Sequence, residues 1–242
     1  MTPLIIILGP AGSGRGIALK ELVAHAWPAG KQVRILRVAS DAPAGHDPAD
    51  NWSMEGSVAI LPAPGAEDAL VLVTDGRRSV VDQMEALHRT LHGSTQWQVQ
   101  RIVTVLDCPL TERHELVAEW NRAAVHFADV VILTRRWEVA GQWLSKYLAT
   151  FTDAFYPCLL VNLLKNGSLA NPAEVIEGEP LRMSHIFDEI DAVDEMEFDE
   201  DNLPDEPFDL VRQPDKYFAR DDYGRRLIAV PEIAETLRVE GR

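Results

Sequence analysis

Seven residues near the start of the chain, Gly9, Pro10, Ala11, Gly12, Ser13, Gly14 and Arg15, fit the pattern G-x-x-x-x-G followed by a long cation. An apolar run, Leu4 to Leu8, precedes them, and a helical pattern from Ile17 to Trp27 follows. Glycines at this spacing let successive backbone N–H groups turn inward around an anion, and the helix behind points its positive end at the same place. The chemistry on offer is a cradle for phosphate. A loop that transfers phosphoryl groups also needs a lysine across the outer phosphates and a hydroxyl on Mg²⁺. Here Arg15 stands at the lysine position and Gly16 at the hydroxyl position. A guanidinium can grip a phosphate oxygen, but its planar fork does not replace an ammonium. The residues therefore predict an anion site with Gly9, Gly12, Ser13, Gly14, Arg15 and Gly16 around it, and they argue against efficient phosphoryl transfer. The plain alternative is a tight strand-to-helix turn without a ligand.

Further chemistry-bearing residues fall at the ends of other apolar runs. In "TDGRRSVVD", Asp75 is placed to hold Mg²⁺ through water, which makes it, with Arg15, the catalytic candidate, and Gly76 is placed to offer its N–H to a terminal phosphate. The alternative is an ordinary helix start with Ser79 as its cap. Arg77 and Arg78 are either within reach of a bound phosphate or solvated. Asp107, closing "VTVLDC", is a second metal candidate. Thr134, Arg135, Arg136 and Trp137 follow "ADVVIL". His88 and His92 are four apart on a helical pattern and could hold a metal or simply face the surface. Cys108 and Cys158 have no CxxC spacing and read as small buried hydrophobes at strand ends.

The elements that position these residues are legible from periodicity. Strands are expected at Leu4–Leu8, Val33–Val38, Ala69–Thr74, Arg101–Leu106, Val130–Leu133 and Cys158–Leu163, and helices at Ile17–Trp27, Val80–Leu91, Glu112–Phe127 and Trp137–Phe151. Continuous apolar strands alternating with amphipathic helices predict an α/β three-layer sandwich with a mainly parallel sheet, whose ligands bind at the carboxyl ends of the strands. Ser40 to Gly65 reads as an excursion near that edge with at most one short strand, Val58 to Leu61.

The chain has 242 residues and a formal charge of −15. Fourteen acidic residues lie between Glu177 and Asp209 against Arg182 alone, so this stretch supplies nearly all the excess. With no basic stripe and interleaved aromatics, nucleic acid is not an expected partner. The apolar runs are strand-sized, no signal pattern opens the chain, and the expectation is a cytoplasmic protein without membrane contact. The acidic stretch reads either as a solvated linker or as a protein-docking arm using Ile186, Phe187, Ile190, Met196 and Phe198. The organisation expected is a P-loop domain over 1–176, the acidic segment over 177–209 and a C-terminal extension over 210–242. The last stretch, "YGRRLIAVPEIAETLRVEG", regains apolar periodicity and should fold against something.

The order of the glycine loop, "VTVLDC", a helix, "HFADVVIL", another helix and "PCLLVNLLKNGSLANPAEVI" resembles the CobW-type GTPases, relatives of the metallochaperone GTPases, over roughly Pro3 to Ile176. That resemblance implies a P-loop GTPase fold, a guanine-reading NKxD after the "AD-apolar" strand, and GTP or GDP with Mg²⁺ as cofactor. Thr134, Arg135, Arg136 and Trp137 occupy the NKxD positions, so the carboxylate that reads guanine is replaced by Trp137. An indole there could stack on a base, although core packing is the commoner role for so large an aromatic. The family's CxCC metal motif is absent from the sequence. "GPAGSGRGI" also resembles the loop of nucleotide-monophosphate kinases, without a recognisable lid. The reading that follows is a GTPase-like protein binding a nucleotide or phosphate-like anion in a regulatory or scaffold role, with little hydrolysis. The alternatives are an active NTPase or small-molecule kinase, using ATP or GTP with Arg15 in place of lysine, and an interaction module, oligomeric or not, with an empty loop and no cofactor.

Overall fold

In the computed structural model, which describes residues 1–188 and 214–242, six strands form one parallel sheet. In chain order they are β1 (Thr2–Leu8), β2 (Val33–Leu36), β5 (Ala69–Val73), β6 (Trp97–Asp107), β7 (Val130–Thr134) and β8 (Leu159–Asn162), and they lie side by side as β2-β5-β1-β6-β7-β8. A separate antiparallel pair, β3 (Ser53–Glu55) and β4 (Val58–Ile60), forms a small hairpin in the excursion. The excursion thus holds two short strands where one was expected, because Gly56 and Ser57 turn the chain back on itself.

Alternation along β1 divides the core. Leu4, Ile6 and Leu8 face α2 (Val80–Leu91) and α4 (Glu115–Phe127), while Ile5 and Ile7 face α1 (Arg15–His25) and α6 (Pro172–Ile176). Successive side chains on a strand point to opposite faces, so a wholly apolar strand must be covered on both. Leu4 to Leu8 of β1 are fully enclosed for this reason, and the loop at the strand's end is the centre of the sheet's carboxyl edge.

Two helical expectations are corrected. The single helix read over Glu112–Phe127 is two, α3 (Cys108–Arg113) and α4, separated by His114 in an extended conformation. Asp107 caps Leu110 N–H and Pro109 sits in the first turn, so a helix starts four residues before the periodicity showed one. Trp137 lies in a 3₁₀ turn, and α5 begins only at Gly141 and runs to Thr152. Cys108 is buried, while Cys158, just before β8, is only half-buried. Ser79 caps α2 by accepting from Asp82 N–H at 3.2 Å.

The chain beyond Ile176 returns to this core. Arg182 and Leu181 bind the buried carboxylate of Asp129, and Ile186 and Phe187 pack on the α2–α4 side. Tyr217, Ile233 and Leu237 are buried in the same cluster, the last on α7 (Ala234–Val239). Ile190, Met196 and Phe198 lie outside the described residues. Among the described residues, no helix is long and apolar enough to cross a membrane.

Candidate functional site

The loop from Gly9 to Gly14 joins β1 to α1 with Gly9, Gly12 and Gly14 at φ of 136°, 74° and 96°. A Cβ on Gly9 would stand 2.5 Å from the Val105 carbonyl oxygen, so no other residue passes there. Two loop amides are committed internally: Ala11 N–H donates to Gly76 O at 3.0 Å and Ser13 N–H to Pro10 O at 3.1 Å. The amides of Gly12, Gly14, Arg15 and Gly16 have no acceptor among the described residues. Ser13 is 1% exposed, and its hydroxyl, which also lacks a partner there, lies across the loop interior toward Gly9. Unpaired donors at a helix start are what an anion satisfies.

The β5 flank of the loop is closed. Arg15 is the first residue of α1, yet only 5% of it is exposed. One end of its guanidinium donates to the Thr74 carbonyl oxygen, and Nη2 donates to Asp41 Oδ2 at 2.6 Å. Burial lowers its pKa; Asp41 opposes that, Arg37 adds to it, and Asp75 opposes it further. Gly76 packs directly on this arrangement: a Cβ there would meet Ala11 N at 2.3 Å and Arg15 Nη2 at 2.5 Å. Asp75, also buried, accepts from Arg77 N–H at 2.9 Å and from Ser40 Oγ at 3.4 Å, with Arg78 Nε at 3.6 Å. The amide of Gln83 grips its main chain through both N–H and C=O.

The opposite flank is formed by the ends of β6 and β7. Thr134 Oγ1 donates to Ser13 O at 2.8 Å, tying β7 to the loop. Asp107 is fully buried; one oxygen caps α3, and the other receives Arg135 and Arg242. Arg135 adopts a left-handed φ of 52° and also reaches Glu138 at 3.5 Å. Trp137 is 45% exposed, so core packing is not its role.

Sequence reading thus placed the loop residues, Asp75, Gly76, Asp107 and the Thr134–Trp137 stretch at one sheet edge, and they lie there. It missed Asp41, Thr74 and Arg242. Nothing in the excursion marks Asp41, whereas Gly241 following a helical pattern was a usable signal for a chain turn at Arg242. His88 and His92 sit apart from the site, with ring centroids 5.3 Å from one another. No three His, Cys, Asp or Glu side chains gather as a metal-ligand set among the described residues.

A glycine loop between the central strand of a parallel sheet and the helix that follows defines a P-loop, NTPase-like α/β protein. No protein-family model matches the chain, and no curated protein does. Among solved structures, the zinc-bound YjiA GTPase from E. coli is 12% identical, covers 74% of this chain and 66% of its own, and has a TM-score of 0.44. The chain therefore spans just under two thirds of the length of YjiA. The hydrogenase maturation factor HypB from Archaeoglobus fulgidus is 13% identical over 69% of this chain and 83% of its own, with a TM-score of 0.43. FlhF, complexed with GMPPNP and Mg²⁺, is 13% identical over 74% of this chain and 71% of its own, with a TM-score of 0.41. At this level of likeness no ligand, activity or partner passes from those proteins to this one.

Proposed function

We propose that the glycine loop binds a phosphate-like anion, either pyrophosphate or the diphosphate of a nucleotide, and that the protein acts as a regulator or scaffold with little or no hydrolysis. The observation that carries this is the posture of Arg15. Its guanidinium lies against Gly76, committed to Thr74 and Asp41, where a hydrolysing loop would need a cation free to bridge the outer phosphates. The four open amides and the buried Ser13 hydroxyl support binding, and the arginines around the edge support it in a chain that is otherwise strongly acidic.

Mg²⁺ fits this donor set poorly. Gly16 has no hydroxyl, and the oxygens of Asp75 already accept from Arg77 N–H and Ser40 while facing Arg78. Those of Asp107 hold α3, Arg135 and Arg242.

Calorimetric titration with pyrophosphate, GDP, GTP and ATP, with and without Mg²⁺, tests the reading. Saturable binding of pyrophosphate that is indifferent to Mg²⁺ is expected. Mg²⁺-dependent GTP hydrolysis that disappears in Arg15→Ala would sink it.

A further inference from the structure

Arg242 reaches the glycine loop from the far end of the described chain, and its placement is fixed by three independent features. Ile233 and Leu237 anchor α7 in the core beneath α2 and α4. The helix ends with Gly241 at φ 73°, Gly241 N–H donating to Arg238 O at 3.1 Å and Arg242 N–H to Leu237 O at 2.9 Å. This pair of bonds is the closure that a glycine after a helix permits, and it aims the next residue sharply away from the axis. Glu240 is held by Arg113 Nη2 at 2.6 Å and by His114 Nε2 at 2.7 Å, which fastens the turn to α3 and the residue after it.

The side chain so delivered lies on the loop itself. A Cβ at Gly12 would be 2.7 Å from Arg242 Cδ. Arg242 Nη1 donates to Gly12 O at 3.1 Å and to Asp107 Oδ2 at 2.5 Å. Its Nε and Nη2 have no partner among the described residues, and the side chain carrying them lies against Gly12, whose own amide is unpaired there. Asp107 Oδ2 also receives Arg135, so one carboxylate faces two guanidinium groups.

We propose that Arg242 is an anion-binding residue of the glycine loop, supplying from outside the loop a cation in place of Arg15, whose guanidinium is committed to Thr74 and Asp41. Its ligand is the diphosphate group shared by pyrophosphate and nucleoside diphosphates. A guanidinium with a free edge suits two neighbouring phosphate oxygens, which a bidentate contact spans. This inference rests on the loop being an anion site, as argued under Proposed function.

The test is titration of inorganic pyrophosphate, GDP and ADP into the full chain and three variants. Arg242→Ala should weaken pyrophosphate binding about tenfold or more, the range for a lost charge-assisted hydrogen bond. Arg242→Lys, which keeps the charge without the fork, should fall between. Arg238→Ala, whose side chain pairs with Glu235 on the exposed side of α7, should bind as the parent does. Equal losses for pyrophosphate and both diphosphates identify the diphosphate itself as the ligand group, whereas a loss confined to one nucleoside diphosphate overturns that assignment. If the parent binds and Arg242→Ala binds equally or more tightly, Arg242 is not a ligand residue and the inference fails alone. If the parent binds none of the three anions, the reading of the loop fails and takes this inference with it.

Discussion

On the β5 side of the glycine loop the polar groups satisfy one another, and on the β6–β7 side they do not. Arg15, Asp41, Thr74 and the Gly76 peptide form a closed set in which the guanidinium is almost without solvent. Asp107, Arg135 and Arg242 leave a partly exposed cationic edge, with Trp137 standing out beyond it. The two flanks belong to one loop, so the difference lies in what each side chain can reach. A side chain long enough to reach Asp41 converts one half of a phosphate cradle into structure, while the other half keeps its donors open.

If the closed flank is structural, breaking it should be the most damaging change. Asp41→Ala leaves the Arg15 guanidinium buried without its carboxylate partner, and a loss of about 3 kcal/mol is expected in urea unfolding. Arg135→Ala on the other flank removes a partly exposed contact to a carboxylate that Arg242 still holds, and about 1 kcal/mol or less is expected. Equal losses would erase the distinction.

Within the closed flank, Gly76→Ala forces a methyl against Ala11 N and Gly9 O, at 2.3 and 2.7 Å from an undisplaced Cβ. Both atoms are backbone, so the strand end or the loop must move, with an expected loss of about 2 to 3 kcal/mol in thermal or urea unfolding. Gly16→Ala is the counterpart. Apart from its chain neighbours and its own helix backbone, no atom among the described residues lies within 4 Å of its Cβ, and the gain in helix propensity should stabilise the chain by roughly 0.5 kcal/mol. Gly16 is therefore not required by packing, and the missing hydroxyl follows from residue choice rather than lack of room.

The open flank should also respond to acid through Glu240. Hydrogen bonds from His114 and then Arg113 hold its carboxyl down to about 2, from a usual 4.5. A depressed pKa means that the carboxylate's contribution is fully present above about pH 4.5 and is lost as pH falls toward 2. The stability difference between the parent and Glu240→Gln should accordingly be present above about pH 4.5 and shrink to nothing near pH 2. A difference that is constant across that range would detach Glu240 from the docking of α7.

Much of the fold was legible because the strands are continuous apolar, β-branched runs, and because glycine, proline and acidic residues punctuate them. The loop was legible for the same reason: its glycines serve backbone geometry, which depends on local sequence. What Arg15 does was not legible, since its partner Asp41 lies in an excursion without periodicity. Arg242 was hidden differently. Its contact with Gly12 joins residues 230 positions apart, and only the glycine closing α7 hinted at the turn. The break at His114 was missed because apolar spacing runs through it, while the Asp107 cap and Pro109 that start α3 are local signals the periodicity obscured.

The smallest effect on stability, and the sharpest test of the open flank, belongs to Trp137. Its indole is 45% exposed on a short turn, so Trp137→Ala should change stability by no more than about 0.5 kcal/mol. Its effect on ligands depends on whether a base is bound. An indole stacked on a base contributes about 1 to 3 kcal/mol, which Trp137→Ala would remove from GDP or ADP binding while leaving pyrophosphate unaffected. With no carboxylate at this position to accept from guanine, the loss should be similar for both nucleotides. A loss specific to GDP would mean that guanine is read by groups other than Trp137, and the open flank would then be a selective base site rather than a general anion edge.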